Sequence, residues 1–380
     1  MKILFAPDCF KGSMSSTRVI ELLCQITEQH FPGCEMLGVP MGDGGEGTVD
    51  ALIQSLGGHY CRLSVTGPLG QPVQAAYGVL NDRTAIVEMA QASGITLVPR
   101  DRLDVKKASS YGTGEMLKEV IQQGYRTIYL LLGGSATNDG GMGAAAALGI
   151  RFLDKEGNPV EPSGAGLAKV ASVDTSRVLP EFGTTQLVVM CDVTNPLLGE
   201  NGATYVYGKQ KGATPEDQKQ LEKGMENYAD VLEKACGKSL RNLEGAGAAG
   251  GFVLPFLAFG NVQIQSGIKT VLRLMDFDRL LEGVDLVVTG EGRLDGQSIQ
   301  GKVLSGIGEA CQKKNIPAVA IVGGIANGGT EIFRKGIQSV VSCVNNVMTL
   351  EEAISRSEEL FLQAADRMYR FVKIGLMLQK

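Results

Sequence analysis

Apolar runs of strand length alternate with amphipathic stretches at both ends of the chain. The first run covers residues 2–7, and apolar side chains then recur at helical spacing from Val19 to Ile26. After residue 283 the rhythm returns. The strands predicted in these two regions are 2–7, 35–40, 284–289, 317–322 and 338–344. This alternation of strand and helix is typical of a doubly wound sheet.

The middle of the chain has a different pattern. Residues 60–90 alternate between apolar and polar positions and turn at glycine, proline and asparagine, which predicts antiparallel strands. Further strands are predicted at 127–132 and 186–191, and a polar helix at 214–236 carries Thr214 at its N-cap. Because the antiparallel stretch breaks the rhythm of the two ends, the middle is interpreted as an insertion.

The patterns together predict an α/β protein of two domains. A flavodoxin-like doubly wound domain would be discontinuous, formed by residues 1–59 and 284–380. An inserted mixed α/β domain would occupy residues 60–283. The last helix of the first domain is predicted to begin at a capping box at Thr349.

The amino-acid composition argues against several classes of protein. The 380 residues are 44% hydrophobic and carry a net charge of −5, so there is no basic surplus to bind nucleic acid. No apolar run approaches the length of a membrane span, and the first residues lack the apolar core of a signal peptide. We therefore expect a cytoplasmic protein that acts on a small molecule, with neither nucleic acid nor a membrane as a partner. The sequence leaves the oligomeric state open.

The cysteines and histidines offer no pattern for a metal site or a catalytic triad. The eight cysteines are scattered without a Cys-x-x-Cys pair, which favours reduced thiols. His30 and His59 have no second ligand at metal-binding spacing, which argues against a zinc site and against a histidine-based triad. A general base is therefore expected among the aspartate, glutamate or lysine side chains.

Five glycine-rich loops that carry acidic or amide side chains are the main chemical signal. They span residues 42–48, 133–141, 191–196, 244–251 and 289–296, and three of them directly follow an apolar run. Glycines let backbone N–H groups approach an anion closely. Carboxylates beside a bound phosphate would repel it unless a cation lies between them. The loops therefore indicate an enzyme that uses magnesium and a nucleotide.

Two familiar nucleotide-binding patterns occur without the context that they need. Residues 296–303 approach the P-loop, but Val303 replaces the magnesium-binding hydroxyl and the motif starts several residues after its strand. Residues 245–250 match G-x-G-x-x-G, but a polar segment precedes them instead of a strand. Neither is predicted to be a nucleotide fingerprint. Lys302 is either a contact to a phosphate or a solvated lysine at the start of a helix.

The acidic side chains of the loops have both chemical and structural interpretations. Asp43 lies between glycines after a strand, whereas Glu46 falls in a first helical turn, where an acid also suits the helix dipole. Asp192 and Glu291 follow predicted strands, at the edge where open α/β sheets bind ligands. Asp139 also suits a simple Asx-turn.

At these loops the chain resembles the glycerate kinases of the bacterial type I family. The matching segments follow the family order over nearly the whole chain, at residues 6–11, 42–48, 66–70, 112–115, 133–141, 191–196, 245–251 and 289–302. One departure is Lys209, where the family usually has proline. The resemblance implies transfer of the γ-phosphoryl group of ATP to D-glycerate with Mg²⁺, generally to give 2-phosphoglycerate. It also implies that the active site lies in the cleft between a flavodoxin-like domain and its inserted domain.

Roles are assigned to single residues by their chemistry. We expect Asp43 and Asp192 to serve as general base and as Mg²⁺ ligands, in an order that the sequence leaves open, with Asp8 and Glu291 as reserves for these tasks. Lys11 is expected to take part in catalysis. Backbone N–H groups around Gly134 and Gly247 would cradle an anion. The other residues predicted to bind substrate or nucleotide are Asp8, Gly44, Gly45, Ser135, Asn138, Asn195, Glu291, Arg293 and Lys302.

Three alternatives stay open at this point. Phosphorylation could fall on the 3-hydroxyl of glycerate, because no residue in the sequence indicates the position. A nicotinamide-dependent oxidoreductase would need a strand–G-x-G-x-x-G–helix unit, and no such unit is evident. A non-catalytic binding protein with two α/β domains is the third, although secreted proteins of that kind carry signal peptides.

Overall fold

The computed structural model describes residues 1–45, 47–296 and 301–378. Apolar runs that are rich in β-branched side chains form most of the strands, as their sequence pattern predicts. Across the described residues the strands are β1 Lys2–Pro7, β2 Glu35–Gly38, β3 His59–Thr66, β4 Pro72–Asn81, β5 Thr84–Glu88, β6 Thr127–Leu131, β7 Arg151–Leu153, β8 Ser172–Asp174, β9 Gln186–Met190, β10 Asn261–Gln265, β11 Leu286–Leu294, β12 Ala318–Ile325 and β13 Ser339–Ser342.

The helices vary from single turns to six turns in length. In the same residues they are α1 Ser16–His30, α2 Thr48–Leu56, α3 Ala90–Ser93, α4 Tyr111–Gln122, α5 Met142–Ala147, α6 Ala203–Tyr207, α7 Pro215–Cys236, α8 Ala248–Gly251, α9 Leu254–Phe259, α10 Gly267–Leu274, α11 Phe277–Leu280, α12 Val303–Lys314, α13 Leu350–Ser355 and α14 Ser357–Leu378. Among the described helices, none has the length and apolar character needed to cross a membrane. Thr214 is the N-cap of α7, as predicted, and it forms a capping box with Asp217.

The chain divides into two compact units. The first unit is Met1–Gly57 together with Ser266–Lys380, and the second is Gly58–Gln265. Residues 266–283, which include α10 and α11, therefore group with the first unit. The sequence predicts domain boundaries at residues 59 and 283. Those boundaries remain a prediction.

The first unit contains a parallel sheet covered on both faces. In its described residues the strand order is β13-β12-β11-β1-β2 and every neighbouring pair is parallel. When the five strands of this unit are renumbered 1 to 5 in chain order, the sheet order is 2-1-3-4-5. This is the flavodoxin-like order, as predicted. Ile3 and Phe5 pack in one apolar cluster with α1 and α14, while the alternate residue Leu4 is also fully buried. Both faces of β1 are therefore covered, as parallel sheets require.

The second unit contains a mixed sheet. Its described strands have the order β10-β9-β6-β5-β4-β3. β3, β4 and β5 are antiparallel neighbours, which confirms the prediction for residues 60–90. β5, β6, β9 and β10 run parallel, so the carboxyl ends of these four strands lie at one edge. A separate antiparallel pair joins β7 and β8.

Two predicted element boundaries are wrong. The loop placed at 289–296 is largely strand, because β11 continues to Leu294. A Cβ atom at Gly290 would overlap the carbonyl oxygen of Ile321, so this glycine serves close packing of β11 on β12 rather than a turn. The helix capped by Thr349 ends at Ser355, since Arg356 leaves the helical conformation with φ of −109°, and α14 begins separately.

Candidate active site

A cavity of about 590 Å³ lies at the carboxyl ends of the parallel strands of the first unit. Charged residues from the segments after β1 and β2, from β11 and its end, and from the start of α12 line one part of it. Those charged residues are Asp8, Lys11, Asp43, Glu291, Arg293, Asp295 and Lys302. Six of the seven were predicted as site residues, and they meet here because the carboxyl ends of parallel strands share one edge of the sheet.

Asp8 is the buried centre of this charged group. It directly follows β1 and is only 7% exposed, and its carboxylate accepts a hydrogen bond from the Cys9 N–H at 2.7 Å. Burial raises the pKa of Asp8 to about 7, and the nearby negative charges of Asp43 and Glu291 act in the same direction. Lys11 and the Cys9 N–H oppose this rise without cancelling it. Asp8 therefore changes its charge near neutral pH.

Asp43 stands on a tight turn before α2. Its carboxylate accepts a hydrogen bond from the Gly45 N–H at 3.0 Å, while the Gly44 N–H donates to the Thr48 hydroxyl at 3.0 Å. These two bonds tie the turn to the first residue of α2 and fix the Asp43 side chain at the wall of the cavity. Glu46, the other acid predicted in this loop, lies outside the described residues.

The remaining charged groups of the cavity come from β11 and α12. Glu291 is only 5% exposed, whereas Arg293 is largely exposed and lies 3.8 Å from the Asp295 carboxylate. Lys302 directly precedes α12 and also lines the cavity. Residues 297–300 of the near P-loop lie outside the described residues.

An apolar wall completes the cavity. It is formed by side chains from the end of β12 and from α13, among them Ile325, Leu350 and Ile354. These residues were not predicted, because isolated apolar positions in two distant segments carry no chemical signal. A cavity with a charged part and an apolar part suits a ligand that has both kinds of group.

In the second unit, the loop after β6 is built around Asp139. This carboxylate has no solvent exposure, and it accepts hydrogen bonds from the Ser110 N–H and hydroxyl, each at 2.7 Å, and from the Gly141 N–H at 3.2 Å. The last of these bonds is the predicted Asx-turn. Burial raises the pKa of Asp139, and the bonds from Ser110, Gly141 and Gly143 oppose the rise. Asp139 thus holds the loop against α4 and α5.

Gly134, Ser135 and Asn138 lie in the same loop. Gly134 is exposed and has φ of +70°, whereas Asn138 is buried and its Nδ2 donates to the Thr204 hydroxyl at 3.2 Å. The Ser135 hydroxyl accepts a hydrogen bond from the Nζ of Lys211 at 2.9 Å. Lys211 was not predicted, because nothing in the local sequence distinguishes a buried lysine from an exposed one.

The segment after β9 carries the other predicted residues of this unit. Asp192 is half-buried, two residues beyond the end of β9. The Asn195 side chain accepts from the Tyr207 hydroxyl and donates to the Asn201 carbonyl, each at 2.8 Å. The Gly247 N–H donates to the Asn195 carbonyl at 3.1 Å, and a Cβ at Gly247 would overlap the Pro196 carbonyl. These bonds give Asn195 and Gly247 a part in packing two loops together, and their predicted contact to a ligand stays a prediction.

Comparison with known proteins assigns the chain to a family. The model of the Glycerate kinase family matches residues 3–373. The chain belongs to the glycerate kinase family. A glycerate kinase of Bacillus subtilis strain 168 is 39% identical, with 99% of this chain and 98% of that protein covered. The glycerate 2-kinase of Escherichia coli K12 is 37% identical, with 99% of both chains covered.

A solved structure agrees with this assignment. The crystal structure of a protein described as glycerate kinase 2 from Salmonella typhimurium LT2 superposes with a TM-score of 0.88, at 38% identity and with 99% of both chains covered. As a member of the glycerate kinase family the chain is a kinase, and the comparisons give no support to an oxidoreductase or a non-catalytic binding protein. The α/β fold predicted from the sequence is likewise confirmed.

The described carboxylates of this family member do not form a metal cage by themselves. Within residues 1–45, 47–296 and 301–378, no group of three or more His, Cys, Asp or Glu side chains is arranged to hold a metal ion. Magnesium that arrives with a nucleotide needs less, because it is usually bound by one or two carboxylates together with phosphate oxygens. Asp8 and Asp43 offer such hard oxygen ligands in the first unit, and Asp192 offers one in the second.

Proposed function

We propose that the protein transfers the γ-phosphoryl group of ATP to D-glycerate, on its 2-hydroxyl. The observation that carries this proposal is the similarity to named glycerate kinases along nearly the whole chain. The name of the Escherichia coli relative, glycerate 2-kinase, supports the choice of hydroxyl. Phosphorylation of the 3-hydroxyl is the alternative, and the product distinguishes the two.

The first-unit cavity is proposed as the place where the charged phosphates and their metal bind. Transfer between oxygens requires mainly positioning and neutralisation of charge. Lys11, Arg293 and Lys302 supply positive charge for phosphate or carboxylate oxygens of the substrates. The apolar wall formed by Ile325, Leu350 and neighbouring side chains would accept the least polar part of a bound nucleotide.

The acidic residues of the cavity are proposed to divide two tasks. Asp8 is the candidate general base, because a carboxyl group with a pKa of about 7 can accept the proton of a hydroxyl group near neutral pH. Asp43 would hold Mg²⁺, with Asp192 as a second candidate for either task. Magnesium bound there supplies positive charge against the phosphates of the nucleotide.

The test measures ADP release by the purified protein. We expect release only when D-glycerate and Mg²⁺ are both present, and phosphorus NMR should identify the product as 2-phosphoglycerate. Asp43→Asn and Asp192→Asn should each lower kcat by about 10²- to 10⁴-fold, because a base or a metal-binding carboxylate is lost. The exposed Asp101, changed to Asn, is the control and should keep wild-type kinetics.

Several outcomes would contradict this proposal. Release of ADP without glycerate, or full activity in an excess of chelator, would exclude the proposed reaction. A product signal only at 3-phosphoglycerate would exclude the 2-hydroxyl. Folded Asp43→Asn and Asp192→Asn variants within a few-fold of wild type would exclude the assigned roles of these two residues.

A further inference from the structure

Lys211 is a buried lysine whose hydrogen-bond partners are uncharged. It ends the 3-10 helix Lys209–Lys211 between α6 and α7 and is only 2% exposed. Its Nζ donates to the Ser135 hydroxyl at 2.9 Å and to the Thr137 carbonyl at 2.6 Å. Burial lowers the pKa of Lys211 to about 7, although the negative charge of Asp139 opposes this. Burial of a lysine is costly, so the position calls for a reason other than stability.

The bond between Lys211 and Ser135 fixes the direction of the serine hydroxyl. Below a pH of about 7 the Lys211 side chain is an ammonium group, which can only donate, so the Ser135 oxygen receives this bond on a lone pair. The hydrogen of the Ser135 hydroxyl is then directed elsewhere, as a donor. A hydroxyl group that accepts from a cation is also polarised, which strengthens the hydrogen bond that it donates. Such a donor suits an oxyanion.

Ser135 lies where this buried cluster approaches solvent. It is 7% exposed, whereas Thr137, Asn138 and Asp139 are fully buried, and Gly133 and Gly134 before it are exposed. Backbone hydrogen bonds hold the loop in place on both sides of Ser135. The Ile95 N–H donates to the Gly134 carbonyl at 2.8 Å, and the Ala136 N–H donates to the Ser93 carbonyl at 2.9 Å. The position of the Ser135 hydroxyl is therefore fixed before any ligand binds.

Two more buried polar atoms belong to the same loop. The Thr137 hydroxyl and the Asn138 Oδ1 are both buried, and neither has a hydrogen-bond partner among the described residues. Two short helices, α8 and α6, also contact this segment. The Gly140 N–H donates to the Gly250 carbonyl at 3.0 Å, and Asn138 donates to Thr204 in α6. A polar cluster that is left incomplete in this way is typical of a functional site rather than of a core.

We propose that Lys211 is a positioning residue of the transfer reaction. It acts through Ser135, whose hydroxyl donates a hydrogen bond to an oxyanion of a bound substrate, either the glycerate carboxylate or a phosphate oxygen of the nucleotide. This inference rests on the proposed function. Ser135 makes the contact to the substrate, whereas Lys211 orients the Ser135 hydroxyl through the hydrogen bond that it donates.

A double-mutant cycle on the full-length protein tests this assignment. Lys211→Met removes the ammonium group, Ser135→Ala removes the hydroxyl, and the double variant removes both. Lys209→Met, an exposed lysine of the same 3-10 helix, is the matched control and should stay within twofold of wild type. We expect each single variant to lower kcat/KM by about 10- to 100-fold, since a charge-assisted hydrogen bond is lost.

The two single losses should not add. If Lys211 acts through Ser135, Lys211→Met has little left to remove once the hydroxyl is absent, and the double variant resembles the worse single variant. The KM that rises identifies the oxyanion. An increase for D-glycerate indicates its carboxylate, and an increase for ATP indicates a phosphate.

The outcomes separate this inference from the proposed function. A wild-type protein without glycerate-dependent activity would overturn both. An active wild type with fully additive losses, or with Ser135→Ala within twofold of wild type, would overturn the role of Lys211 alone. If Lys211→Met does not fold, Lys211→Gln takes its place in the cycle, and fully additive losses of that variant and Ser135→Ala overturn the role of Lys211.

Discussion

At the scale of single residues, Asp8 combines burial with two neighbouring acids. Its pKa of about 7 lies above the ordinary value of 3.8, so the folded protein keeps a proton that the unfolded chain releases at moderately acidic pH. Between these two values, a rise in pH favours the unfolded chain. The ionised carboxyl group therefore lowers stability at and above neutral pH in the absence of a bound cation.

Asp8→Asn should accordingly raise the thermal stability of the ligand-free protein. At pH 8 the gain is expected to approach ~4 kcal/mol, from a pKa displacement of about three units, and it should disappear toward pH 4. Melting temperatures of both proteins across this range provide the measurement, with Asp101→Asn as an exposed control. Added MgATP should stabilise the wild type more than the variant, whose activity should be low. A variant less stable than wild type at pH 8 would contradict this account.

Some of these residues could be identified from the sequence, and others could not. Asp8, Asp43 and Glu291 follow or end apolar runs, and the geometry of parallel sheets then places them at one edge. Lys211 could not be identified, because its burial depends on Ser135 and Thr137, more than seventy residues away along the chain. A lysine in a sequence is normally predicted to be exposed to solvent.

At the scale of helices and strands, close approach between α4 and α5 depends on one glycine. Gly114 lies inside α4, and a Cβ atom there would overlap the carbonyl oxygen of Ala144 in α5. An alanine in a helix interior is ordinarily more stable than a glycine by about 0.5–1 kcal/mol. Here the packing of α4 against α5 reverses that preference. The loop that contains Ser135 and Asp139 leads into the N-terminal end of α5.

Gly114→Ala should therefore destabilise the protein. We expect a loss of about 1–3 kcal/mol in the free energy of unfolding, because the two helices must separate or strain. Gly183→Ala is the matched control, since no atom lies within 4 Å of its added Cβ and the change should stay within about 0.5 kcal/mol. Denaturant unfolding of both variants measures the difference. A Gly114→Ala protein as stable as wild type would show that α4 and α5 can shift without cost.

Element type was easier to predict than element ends. The period of the apolar side chains identified β1, α1 and the strands of the first sheet, and their order followed from the βα alternation. The extension of β11 beyond Thr289 was not predicted, because glycines in sequence usually indicate a turn. Only the neighbouring strand reveals that Gly290 permits close pairing instead.

Across the molecule, the two units differ in whether they are formed by one continuous segment of the chain. The second unit is one continuous segment, Gly58–Gln265, with its own large apolar cluster. The first unit needs residues from both sides of that segment to complete its sheet. Continuity and a separate core are the properties that allow a segment to fold by itself.

We therefore expect the isolated segment 58–265 to fold cooperatively. Its circular dichroism should show mixed helix and strand, and urea should unfold it in a single transition. Residues 1–57 alone should remain unfolded, because β1 and β2 lack their partner β11 and the covering helix α14. A segment 58–265 that binds hydrophobic dyes and melts without a transition would contradict this expectation.

The pairing of Ile3 with Leu286 in the first sheet also sets the order of events during protein synthesis. A ribosome adds about 5–20 residues per second, so β1 waits roughly 15 to 60 seconds before β11 emerges. Throughout that interval β1 exposes a row of unpaired backbone groups on an apolar strand, which is a template for aggregation. Nascent chains therefore need a chaperone or a rapidly folding neighbour most during this window. A ribosome that stops before residue 286 releases a chain in which β1 never gains its partner β11 and can pair only with β2.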